Sequence, residues 1–196
     1  MWGDWRTQDS WAELGAEGGI SGQTLLATPF ALCPAHRLQI GDYLQTVSGG
    51  PVAVVSIRPA PQQQWMHIPP MALFNRHAVV VGQGQRLLIR SGFLRKAVGS
   101  AAVVVPAAAL HHWRGVAPCV APAQALRLTA ARPALIVGST GGVLAINGPA
   151  NTYFAQANIT AIDLPPVPSL SLASARQLIA CMIAQEAGAM LREVGP

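Results

Sequence analysis

Short apolar runs broken by glycine and proline dominate the first three quarters of the chain. They recur at 24–28, 43–47, 52–57, 78–81, 86–90, 102–105, 125–128, 134–137 and 143–146. Val, Ile, Leu and Thr fill them, and such side chains suit a pleated, half-buried surface. Runs this short, with turn residues between, predict a mainly β body folded over on itself as a compact sheet or barrel. Val103-Val104-Val105-Pro106 does not alternate, which predicts a central strand ended by a residue without an amide hydrogen. Gly41-Asp42 and Ser48-Gly49-Gly50-Pro51 read as tight turns, with Asp42 bonding its local backbone. Ser139-Thr140-Gly141-Gly142 reads as a hairpin tip.

The pattern changes at both ends. Residues 148–168 thin out into a spacer that closes on Pro165-Pro166-Val167-Pro168, a stiff extended segment. Over 169–196, Leu172, Ala175, Leu178, Ile179, Met182, Ile183 and Met190 recur at helical spacing, with Ser169 or Ser171 as cap. This C-terminal helix either folds back on the sheet or, held out by the spacer, offers Leu178, Met182 and Met190 to a partner or a second copy. The spacer tilts the reading toward the second. Residues 1–18 form an N-terminal arm. Ser10 and Glu13 fit a capping box, and Gly15, Gly18 and Gly19 end any helix there. Trp2, Trp5 and Trp11 crowd into this arm. They serve either as a strap over the chain's own core or as anchors on another chain.

Composition narrows the class. The 196 residues can bury one full core. With 51% apolar and 11% charged residues, the chain is not of a disordered type. So few charges leave apolar surface uncovered, which points to protein partners or a homo-oligomer. The longest apolar run, 101–110, is interrupted by Pro106 and falls short of the roughly 20 residues of a membrane span. The N-terminal residues lack the layout of a secretory signal, so the expected location is cytoplasmic.

The net charge of +5 comes from scattered arginines with no nucleic-acid motif beside them. The densest group, Arg86, Arg90, Arg95 and Lys96, is expected on the solvated face of a hairpin. Cys33, Cys119 and Cys181 are odd in number and far apart, as suits free thiols in a reducing compartment. His111-His112 with Cys119 is a weak metal candidate, because neighbouring histidines on a strand face opposite ways. Neither metal nor cofactor is expected.

Five segments in fixed order carry a resemblance. They are QTLLATP (23–29), QIGDYLQTVSGGPVAVVSI (39–57), HIPPMAL (67–73), VVVGQGQRLLI (79–89) and VVVPAAAL (103–110). Together, over about 19–147, the chain resembles the bacterial Hint family, the self-cleaving module of inteins and hedgehog-type autoprocessing proteins. The resemblance implies a Hint-like compact β fold. It also implies a chemistry: a thiol or hydroxyl attacks the carbonyl just before it, a histidine protonates the departing nitrogen, and donors steady the oxyanion.

The residues that would do this are replaced. Where the family reads roughly CFxxGT, this chain has Gly19-Ile20-Ser21-Gly22-Gln23-Thr24, with glycine in the nucleophile's place and Ser21 out of register. Where the family carries SPQHR, the turn reads Gly82-Gln83-Gly84-Gln85-Arg86, with Gln85 for the histidine. Arg127 and Pro133 stand where a later motif has two histidines. The leading expectation is therefore a degenerate, non-catalytic member serving as a structural or interaction subunit of a larger bacterial assembly. Two others stand beside it. One is an autoprocessing domain whose nucleophile has moved to Cys33 or Ser21, with His36 in Cys33-Pro34-Ala35-His36 as its imidazole. The other is a small-ligand-binding β-domain that uses the old cleft.

Overall fold

The computed structural model describes residues 18–47, 50–138, 142–146, 148 and 167–193, with side chains as far as 189. The arm with Trp2, Trp5 and Trp11, the tips at 48–49 and 139–141, most of the proline spacer and the Met190 side chain lie outside the described residues.

The fold is mainly β with a long C-terminal helix. In chain order the strands are β1 (Ile20–Ser21), β2 (Leu25–Ala27), β3 (Leu32–Pro34), β4 (Tyr43–Leu44), β5 (Val52–Pro59), β6 (Trp65–Ile68), β7 (Val79–Gly82) and β8 (Arg86–Arg90). A short helix α1 (Gly92–Val98) follows, then β9 (Ala102–Pro106), β10 (Ala117–Cys119), β11 (Ala125–Ala130), β12 (Ala134–Val137), β13 (Val143–Ile146) and α2 (Leu172–Glu193). They form a seven-stranded sheet ordered β10-β6-β7-β1-β11-β5-β4, a four-stranded sheet ordered β12-β13-β8-β9, and the hairpin β2-β3. Alternation sets the faces: Val52 and Val54 of β5 are buried while Val55 between its neighbours is exposed. β9 is buried from Val103 to Pro106, as its unbroken valine run implies.

All nine apolar runs contain strands. The remaining four strands, β1, β3, β6 and β10, have two to four residues each and include Ser, Pro or His. Their pairing comes from neighbours distant in sequence, such as Ile20 against both Leu126 and Val81. Asp42 bonds its own turn, its carboxylate accepting from Gln39 N at 2.8 Å.

Two expectations are corrected. Arg95 and Lys96 lie on α1, not on a hairpin. Ser91 caps that helix by accepting from Phe93 N at 3.2 Å, and Gly99 ends it at φ 73°. Arg86 is not solvated. It reaches inward and donates to Ser169 Oγ at 3.0 Å and Leu170 O at 2.7 Å, and burial pulls its guanidinium down to about 10.

The second correction concerns α2. Leu178 and Met182, expected to face a partner, are 0% and 2% exposed, and Ala175 and Ile179 are buried beside them. The helix packs on β9 and on the 3-10 turn Ala107–Leu110 that follows it. The apolar stripe completes the chain's own core, the usual outcome for an amphipathic helix that has a sheet within reach. Its start is fixed twice. Ser171 Oγ accepts from Ser174 N at 3.1 Å, and the preceding residues bond the outer edge of β9, Val104 N to Pro168 O at 2.8 Å and Leu170 N to Val104 O at 2.9 Å.

Candidate functional site

The two positions that the resemblance assigns to nucleophile and histidine lie on neighbouring elements, at the start of β1 and in the turn after β7. Gly19 leads into β1 at the centre of the large sheet, and its carbonyl accepts from Gly82 N of β7 at 2.8 Å. Gln85 turns from β7 into β8, and a side chain at Gly18 would run into the Gln85 side chain. A side chain at Gly19 would instead face Ala60, Gln63 and Trp65.

Neither position carries a thiol, hydroxyl or imidazole. Gly19 offers no attacking atom, and there is no room for one: a Cβ would lie 2.9 Å from Ala60 Cβ and Gln63 Nε2 and 3.0 Å from the Trp65 ring. Gln63 lies across both Gly19 and Gly82, and its buried Nε2 has no hydrogen-bond partner among the described residues. Gln85 is 6% exposed, and its amide donates to Ala145 O at 2.8 Å and Arg86 O at 3.1 Å. An amide held this way orients backbone, and unlike an imidazole it has no group that titrates near neutral pH. Arg127 sits in β11 opposite Arg58 of β5, and Pro133 is buried just before β12.

The alternative catalytic residues each bond nearby backbone. The Cys33 thiol donates to Pro34 O at 3.5 Å, and His36 Nδ1 bonds Gly22 O at 2.8 Å. With Nδ1 donating to that carbonyl, Nε2 is the ring's acceptor nitrogen. Ser21 is 9% exposed, and its hydroxyl accepts from Gln23 N at 3.3 Å. His111 and His112 are not on a strand. Their rings stack at 3.7 Å in a turn, and no group of three His, Cys, Asp or Glu is gathered among the described residues. Burial pushes the Cys119 thiol up, which lowers its thiolate fraction.

A second region was not legible in the sequence. Residues 69–77 form a loop built on Asn75, which is 1% exposed. Its Oδ1 accepts from Leu73 N at 2.9 Å, and its Nδ2 donates to Pro69 O at 2.9 Å and His77 O at 2.8 Å. The loop holds Met71 at φ 67° and Phe74 at φ 61°, left-handed values that bulky side chains rarely adopt, and leaves both exposed. The turn after Leu110 carries two more such residues, His112 at φ 71° and Arg114 at φ 48°. Arg114 ties the two together, donating to Ala72 O at 3.3 Å and pairing with Glu186 of α2 at 2.8 Å. Thus every non-glycine residue with positive φ among the described residues lies in one braced pair of loops. Strain of this kind persists where surrounding structure over-determines it.

Beside the loop lies a cavity of about 210 Å³ between β1–β2, β7 and the start of β13. Its walls include Ser21, Thr24, Ile68, Leu73, His77 and Leu144. Thr24 Oγ1 is buried and has no hydrogen-bond partner among the described residues.

No protein-family model matches the chain, and no curated protein does. Among solved structures, the chain is similar to two crystal structures of the MchDnaB-1 intein, one of them a variant. The variant is 14% identical over 66% of this chain and 99% of its own, with a TM-score of 0.47. The other is 17% identical over 65% of this chain and 99% of its own, with a TM-score of 0.44. No helix among the described residues is long and apolar enough to cross a membrane.

Proposed function

We propose that this chain is a Hint-like scaffold without self-cleavage chemistry that acts as an interaction subunit in a larger protein assembly. The observation that carries the reading is the filled site at Gly19. Of the two positions matched to the family from sequence alone, one has no side chain and no space for one, and the other is an amide committed to two carbonyls. A relocated nucleophile finds no support in the separate commitments of Cys33, His36 and Ser21. The interaction role draws on exposed apolar side chains held by rigid backbone, chiefly Met71 and Phe74.

Mass spectrometry of the full chain after incubation with a strong thiol tests the first half. The intact mass is expected to persist. An internal cut, or a thiol-dependent mass change lost in Cys33→Ala or Ser21→Ala, would overturn it. A pull-down from the native source tests the second half: a partner recovered in fixed stoichiometry is expected, and recovery of the chain alone would refute the assembly role.

A further inference from the structure

We infer that a second, smaller cavity, between the Asn75 loop and Trp113, is a seat for an acidic side chain of a protein partner, with Arg90 as its counter-ion. The inference rests on the interaction role proposed above and names the partner's chemistry.

The seat is small and its polar side chains donate. Its volume is about 90 Å³, and its lining includes Ala72 and Phe74 of the loop, Ile89 and Arg90 at the end of β8, and Trp113. A benzene ring takes a cavity of roughly 150 Å³, so the seat is too small for an aromatic side chain and suits a carboxylate with its methylenes. Apart from Arg90 and Trp113, every lining side chain is aliphatic or phenyl. Arg90 is exposed and makes no ion pair among the described residues. Trp113 is 1% exposed, and its buried Nε1 has no acceptor among them. Guanidinium and indole groups only donate. A carboxylate only accepts and brings the opposite charge, whereas a carboxamide would add an NH₂ for which no lining side chain offers an acceptor.

The surrounding charge agrees. Arg76 is exposed two residues after Phe74, and Arg114 stands 4.6 Å over the Trp113 ring. The chain's own carboxylates are engaged: Glu186 pairs with Arg114 at 2.8 Å, and Asp42 accepts from Gln39 N in its own turn. The charge on Arg90 is left for another molecule to meet. Rigid apolar flanks select a protein over a free anion. Phe74 and Met71 are 59% and 65% exposed on backbone fixed by the Asn75 hydrogen bonds. Side chains set in place this way gain contact area at little ordering cost, and a small ion makes no use of them. An acidic residue set among apolar neighbours is the complement.

The test follows the Trp113 indole N–H resonance of the full chain, assigned by its loss in Trp113→Phe. The probes are acetyl-Leu-Glu-Leu-amide and its neutral isostere acetyl-Leu-Gln-Leu-amide. The acidic peptide is expected to move the resonance saturably and to bind about tenfold tighter than the isostere, as one charge-assisted hydrogen bond implies. Arg90→Gln is expected to remove that preference with the circular dichroism unchanged. No shift with the acidic peptide, or equal binding of the two peptides, would overturn the inference. Inorganic phosphate binding as tightly as the acidic peptide would also overturn it, in favour of a small-anion site. Arg90-dependent sedimentation with phosphatidylglycerol vesicles would do so in favour of a membrane contact. A pull-down separates this claim from the one it rests on. Recovery of the native partner is expected to fall for Arg90→Gln; undiminished recovery would overturn the acidic seat and leave the assembly role standing.

Discussion

Leu178→Ala distinguishes a helix that belongs to the core from one held out for a partner, and the two cases differ in sign as well as size. Leu178 is 0% exposed and lies among Ala175, Ile179 and Met182 against β9 and the turn Ala107–Leu110. Truncation removes apolar contact and leaves a cavity that the flanking sheet cannot collapse into, so the loss is about 3 kcal/mol, within the roughly 2–5 kcal/mol of buried leucine truncations. On a helix free of the body the same change would cost next to nothing, and the better helix propensity of alanine would favour it slightly. Urea unfolding followed by circular dichroism reads the difference. With an m-value of about 2 kcal/mol/M for a chain this size, the midpoint should fall by about 1.5 M with m unchanged. Gln177→Ala, one residue earlier and exposed, should stay within about 0.5 kcal/mol. A midpoint shift for Leu178→Ala no larger than that of Gln177→Ala would refute the placement of α2 in the core.

Gly19→Ala should cost about 1–3 kcal/mol in thermal or urea unfolding, because Ala60 cannot move from a Cβ at 2.9 Å as the Gln63 side chain can; a neutral result would mean the site has room for a nucleophile after all. Asn75→Ala should lose at least about 2 kcal/mol, by stranding the backbone groups of Pro69, Leu73 and His77, and should raise hydrogen exchange across 69–77. Cys119 should alkylate more slowly in the folded chain than in urea at pH 8, since burial raises its folded-state value. The sign for stability follows: the thiol's contribution is full below its ordinary range and is lost as pH rises through the raised folded value. Equal alkylation rates would remove that burial effect.

Elements that advertise themselves locally were readable from sequence, and those defined by distant neighbours were not. The valine run of β9, the alternation in β5 and the stripe of α2 carry their own periodicity. α1 hid behind Gly92 at its first position, although Ser91 before it and Gly99 after it are ordinary start and stop signals. β1 has two residues and exists because β7 and β11 flank it. The direction of α2 could not be read, since an apolar stripe looks the same whether its own sheet or another protein covers it. At the site, the replaced residues Gly19 and Gln85 were visible from the motif. Gln63, which fills the space between Gly19 and Gly82, was not, because a glutamine in a Gln-rich stretch carries no local signal of a contact with residues some 20 and 40 positions away. The loop around Asn75 was equally silent, since its left-handed positions are taken by Met and Phe where glycine or asparagine would have announced a turn.

The short stretch that bonds both the N–H and the C=O of Val104 has a protective consequence. β9 is the last strand of its sheet, and a bare outermost strand is a template on which another chain can grow. Pro168 and Leu170 occupy that template, and the Arg86 latch to Ser169 and Leu170 keeps them there. Cutting the chain before this stretch would strip the guard from a run of valines, so a shortened protein is expected to clump or form fibrils, and that behaviour would report a lost shield.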